Sequence, residues 1–134
     1  MSKKAVIVTM KEALVLSLSI LFWLGCRAQS SLPGASVEEC FVGGRLGYAN
    51  EFLSKIDFPD SLRTKENLGS VYYEIEVDTS ASIVNFRVVR SLHPVLDNEV
   101  RTKIQATQGM WKPLLVNGSK SPYRIVDHVY FELR

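Results

Sequence analysis

Two runs of strictly alternating residues, separated by four turn formers, constrain this chain more than any other feature. From Ser70 to Asp78, Val71, Tyr73, Ile75 and Val77 alternate with Tyr72, Glu74, Glu76 and Asp78, the two-residue period of a half-buried strand. After the turn "TSAS", Val84, Phe86 and Val88 are expected on one face, opposite Asn85 and Arg87. Two such runs joined this closely predict an antiparallel hairpin, dry on one face and wet on the other.

A dry sheet face needs a cover, and two helical patterns supply it. After Gly43 and Gly44, the residues Leu46, Ala49, Phe52, Leu53 and Ile56 recur at helical spacing, leaving Arg45, Asn50, Glu51 and Lys55 to solvent. Pro59 takes Phe58 out of the helical region. Asp60 or Ser61 is expected to cap a brief helical turn, and Gly69 to stop it.

The stretch "SLHPVLDNEVRTKIQATQG" predicts the second helix. It has Pro94 at the start, Leu96, Val100 and Ile104 inward, Asp97 and Glu99 near the positive end, and Gly109 at its close. Then "LLVNGSKSP" carries an Asn-Gly turn, and "YRIVDHVYFEL" reads as a last strand with Ile125, Val129, Phe131 and Leu133 inward. Asp127 falls on that same face, where a bulge or a sheet-end position explains it more cheaply than a buried charge.

Right-handed crossover rules leave few topologies for a hairpin, a helix and one further strand. The expected fold is α+β: a three-stranded antiparallel sheet in the order second, first, third, with both helices on its apolar face and the last strand as an open edge. Trp111 lies in "GMWKP", between Gly109 and Pro113. Its indole is expected to close the seam between helix and sheet, a commoner use for a tryptophan at a helix end than a ligand platform.

The first 28 residues read as an export signal: Lys3, Lys4 and Lys11 precede the apolar run Ala13–Leu24, which is too short to span a bilayer. Two cuts fit, one after Ala28 and one before Cys26, the second leaving Cys26 for lipidation. A leader retained in the membrane is the rival, at the expense of carrying Lys11 and Glu12 within it. Residues 29–39 read as a short tether and 40–134 as the domain.

The basic residues of the leader outweigh Glu12 by +3 and leave the mature chain at −1. That balance gives no global attraction to nucleic acid. With Cys26 discarded or acylated, Cys40 stands alone, so no internal disulfide is expected.

Neither histidine lies at a spacing that makes nucleophilic or metal chemistry with Cys40, and His93 before Pro94 suits a turn or a cap. Glu74, Glu76 and Asp78 alternate on one strand face with no cysteine or histidine at ligand spacing, so they read as solvated surface. "GGRLG" follows no strand and lacks the lysine of a phosphate loop. No enzyme, metal or cofactor is expected.

Four stretches together resemble the C-terminal domain of TonB-like proteins, in the form common among short bacterial envelope proteins, over about Cys40 to Leu133. They are "FVGGRLGYANEFLSKIDFP", "GSVYYEIEVD", "VVRSLHPVLDNEV" and "MWKP", in that order. Val42 stands where proline is usual, Val100 where alanine is, and "TSAS" lacks the usual turn glycine. The resemblance implies a periplasmic or envelope location and the addition of a peptide strand, from an outer-membrane transporter, beside the last strand. Edge position and resemblance together single out Arg124, Val126, His128 and Tyr130. The alternatives are an exported scaffold whose edge is charged or covered by a second copy, and an energy transducer anchored by an uncleaved leader.

Overall fold

The alternation at Ser70–Asp78 becomes the central strand of the sheet. In chain order the elements are α1 (Val37–Cys40), α2 (Gly44–Glu51), 3₁₀ turns at Leu53–Lys55, Asp60–Leu62 and Lys65–Asn67, β1 (Gly69–Val77), β2 (Ile83–Arg90), α3 (Pro94–Gln105), β3 (Leu114–Val116), β4 (Ser119–Ser121) and β5 (Tyr123–Phe131). The computed structural model describes residues 32–133. The export signal, both cleavage sites, Cys26 and positions 29–31 of the expected tether therefore lie outside the described residues. Among the described residues, no helix is long and apolar enough to cross a membrane.

β1 pairs antiparallel with β2 on one side and β5 on the other, giving the order β2-β1-β5. This is the expected second-first-third sheet of an α+β fold. Val71, Tyr73, Ile75 and Val77 of β1 are buried, with Leu96, Val100 and Ile104 of α3 packed into the same core. His93 caps α3, its Nδ1 accepting from the Val95 N–H at 3.1 Å, while Pro94 fills the first turn, where no donor is needed. Asn117 and Gly118, at φ 51° and 80°, turn the small separate hairpin β3-β4.

Asp97 and Glu99 hold loops against α3. Asp97 accepts from the Ser91 hydroxyl and from the Leu92 N–H, and Glu99 accepts from the Asp57 N–H at 3.0 Å. Trp111 closes the seam as expected: it is buried, and its indole N–H donates to Thr107 Oγ1 at 3.0 Å.

Several expectations need correction. Leu46 is 73% exposed, and Tyr48 takes the inner position one turn before Phe52. The helix ends at Glu51 and continues as a 3₁₀ turn, so one 3.6-residue period fitted across Leu46–Ile56 carries the wrong phase. Val84 is exposed because the register passes from Glu76↔Asn85 to Val77↔Ile83, a bulge that gives the inward place to Ile83.

The turn at Asp60–Leu62 has no side-chain cap and is preceded directly by Pro59. Gly69 opens β1 at φ 137° rather than ending a helical turn. Leu133 lies beyond the end of β5 and is half exposed.

The largest correction concerns the expected tether. Residues 33–39 are folded: Ser36 caps α1 by accepting from the Glu39 N–H, Val37 is buried, and Gly34 forms a parallel bridge with Arg124. The folded unit begins at Leu32 rather than Cys40, because the apolar pair Val37 and Cys40 anchors what composition alone marks as a linker.

Candidate functional site

The outer edge of β5 follows from strand alternation. The Arg124 N–H donates to the Pro33 carbonyl at 3.0 Å, and the Arg124 carbonyl accepts from the Ala35 N–H at 2.9 Å. Both Arg124 backbone groups thus turn away from β1. By the two-residue period Val126, His128 and Tyr130 turn theirs the same way, and their side chains stand exposed on the sheet face away from the core.

Of the four edge residues expected from the sequence, Arg124 does not offer a free backbone, because the chain's own Pro33–Ala35 occupies it. Tertiary folding of the supposed tether is the reason. At the next positions, the His128 N–H donates to Oδ1 of Asp127 at 2.8 Å, a local bond that partly blunts the edge. Val126 and Tyr130 have no such local partner for their backbone among the described residues.

Beside this edge the outer sheet face carries its own order. Tyr72 and His128, directly opposed in register, stack with ring centroids 5.2 Å apart. Glu74 is only 8% exposed, bound by Arg87 from β2 and by Arg124 from β5 at 3.6 Å. The expected solvated carboxylate row is therefore corrected at Glu74, which two guanidinium groups cover; Asp78 instead accepts from the Ser80 and Ser82 N–H groups in the hairpin turn.

Asp127 sits in unbroken register opposite Tyr73, so neither a bulge nor a sheet end explains it. Its carboxylate faces Arg45 Nη1 of α2 at 2.7 Å, and the same guanidinium holds Glu38 at 2.8 Å. Arg45, solvent-exposed as expected, is also the cross-link between α1, α2 and β5. The Glu38 hydrogen bond, and then Asp127, raise the Arg45 pKa above its ordinary value, while Glu38 is lowered by the same bond. Below this pair the Tyr48 and Tyr73 hydroxyls bond each other in the core. Burial, chiefly, pushes both above the ordinary tyrosine value.

Gly43 and Gly44, at φ 83° and 64°, make the tight turn that enters α2. Cys40 is buried, and burial raises its thiol pKa; His93 is occupied as a cap, and His128 stands on the outer face. The structure does not bring these three together. Among the described residues no group of three or more His, Cys, Asp or Glu side chains could hold a metal ion.

What sequence reasoning missed was the occupied start of the edge and the partners of Glu74 and Asp127. An inward-facing carboxylate on β5 was the available signal for an arginine across the interface. Compared with protein families, curated proteins and solved structures, the chain matches none.

Proposed function

We propose that this chain is an exported, cell-envelope protein-binding domain that adds an extended peptide of its partner along the outer edge of β5. The observation that carries the reading is that β5 ends the sheet with Val126, His128 and Tyr130 turning backbone outward and side chains, 55% and 61% exposed at Val126 and Tyr130, into solvent. Main-chain hydrogen bonds would supply affinity and those alternate side chains selectivity. The four motifs that resemble the TonB C-terminal domain support an outer-membrane transporter as the source of the peptide.

Val126→Pro removes one outward donor without touching the ladder to β1. Peptide affinity should fall several-fold in a titration while the unfolding free energy from urea melts stays within about 1 kcal/mol of the parent. Unchanged affinity discards the edge reading. A second reading, a scaffold with no strand addition, is favoured by one observation: Asp127 already takes the His128 donor. It predicts that Asp127→Asn and Val126→Pro alike leave partner binding intact.

A further inference from the structure

The opposite edge of the sheet carries a feature that the β5 reading does not use. The side-chain amide of Gln108 pairs with Ile83 of β2 at both ends, accepting from its N–H at 3.0 Å and donating to its carbonyl at 2.9 Å. An amide that gives and takes at one residue reproduces a single rung of strand pairing. Ile83 therefore faces outward with its backbone, and the period carries Phe86 and Val88 outward after the bulge at Val84.

Two hollows follow this edge, between β2 and α3. One is lined by Val84 and Phe86, the other by Val88 and Val89, and Arg101 lines both. The Arg101 guanidinium lies over the Phe86 ring at 5.4 Å. Among the described residues it has no carboxylate partner. Asp97, at the far end, already accepts from Ser91 and Leu92. The groove thus combines the apolar side chains of β2 with polar ones of α3 such as Asn98 and Gln105, outward backbone groups and one cation, without a carboxylate partner among the described residues, held above a ring.

We propose that this groove is a second docking site, for an extended peptide of another protein that places an acidic side chain against Arg101. Backbone rungs at Phe86 and Val88 continue the one that Gln108 imitates, and the bulges at Val84 and Val89 limit the paired stretch to the residues between them. The carboxylate completes a charge-assisted hydrogen bond to a guanidinium that the Phe86 ring shields from water on one face.

The test uses the full chain labelled with nitrogen-15 and a soluble eight-residue peptide of alternating valine and threonine with one central glutamate, beside its glutamine counterpart. The expected result is amide shifts at Phe86 and Val88, with the glutamate peptide binding about threefold to fivefold more tightly. Arg101→Gln should abolish that preference while leaving the amide spectrum otherwise that of the parent. Absence of shifts at Phe86 and Val88, shifts confined to Val126–Tyr130, equal binding of the two peptides, or a preference that survives Arg101→Gln would each overturn the proposal. A loss of β5 binding in Val126→Pro with the groove shifts retained separates the two sites.

Discussion

Phe41 and Trp111 form an antiparallel bridge, and their rings stand at 89° with centroids 5.0 Å apart. The Val42 N–H donates to the Met110 carbonyl at 2.9 Å, and the Lys112 N–H to the Cys40 carbonyl at 2.7 Å. The glycine-pair segment and the tryptophan segment, distant in sequence, are therefore one packing unit. Closing it fixes where α2 begins and where the chain leaves α3.

Trp111→Ala removes the buried partner of Phe41 and the indole donor to Thr107 Oγ1, whose hydroxyl keeps its own bond to the Ile104 carbonyl. It should cost about 3–5 kcal/mol in urea unfolding. Trp111→Phe, which keeps a ring and loses the indole donor, should cost less. A loss under about 1 kcal/mol for the alanine variant contradicts the packing described.

Gly47 lies inside α2, where an added Cβ would stand 2.3 Å from the Val42 carbonyl oxygen. Backbone must move to admit it. Gly47→Ala should destabilise by about 1–3 kcal/mol despite alanine's better helix propensity, and a stabilised variant by thermal melting would refute the contact.

Ala81 adopts φ 62° in the hairpin turn between β1 and β2. An alanine pays a steric penalty there that glycine does not. Ala81→Gly should therefore stabilise the fold by up to about 1 kcal/mol, read as a higher urea midpoint with an unchanged slope. A lower midpoint would show that unfolded-state entropy outweighs the relief.

Burial holds Tyr48, Tyr73 and Tyr123 above the ordinary tyrosine value. The unfolded chain releases those protons near pH 10 while the folded one retains them. The contribution of each is thus intact below about pH 10 and declines as pH rises beyond it, by up to about 1.4 kcal/mol per unit for a fully buried hydroxyl. Urea midpoints from pH 8 to 11 should fall steeply over the last unit, less so in Tyr48→Phe. Gradual ionisation of all tyrosines with the fold intact, followed by absorbance, would sink this.

Cys40 is buried and its thiol is raised by that burial. A thiol reagent should therefore label it only as fast as the domain opens, and adding denaturant should accelerate labelling many-fold. Rapid labelling of the folded chain would place the sulfur at the surface instead.

Elements with a single unbroken period were readable from sequence. β1, α3 and the order of the sheet follow from alternation at Val71–Val77 and four-residue spacing at Leu96–Ile104. Errors arose where the period changes along a stretch, as at Leu46, placed inward by a single period fitted past Phe52, where α-helix gives way to a 3₁₀ turn, and at Val84, where a bulge flips the faces. Charge partners such as Arg45 with Asp127 depend on which surfaces meet, and one-dimensional spacing carries no record of that. The same holds for Pro33–Ala35, whose place beside Arg124 is set by anchoring residues that follow it.

The bridge between Gly34 and Arg124 also has a mechanical side. A pull on the chain from the side of residue 32 loads two hydrogen bonds at Arg124 before it reaches the buried Val37 and Cys40. Those bonds yield first, and the strip that peels away uncovers Arg124 next to Val126, so traction would lengthen the exposed margin of β5 while the interior stays closed.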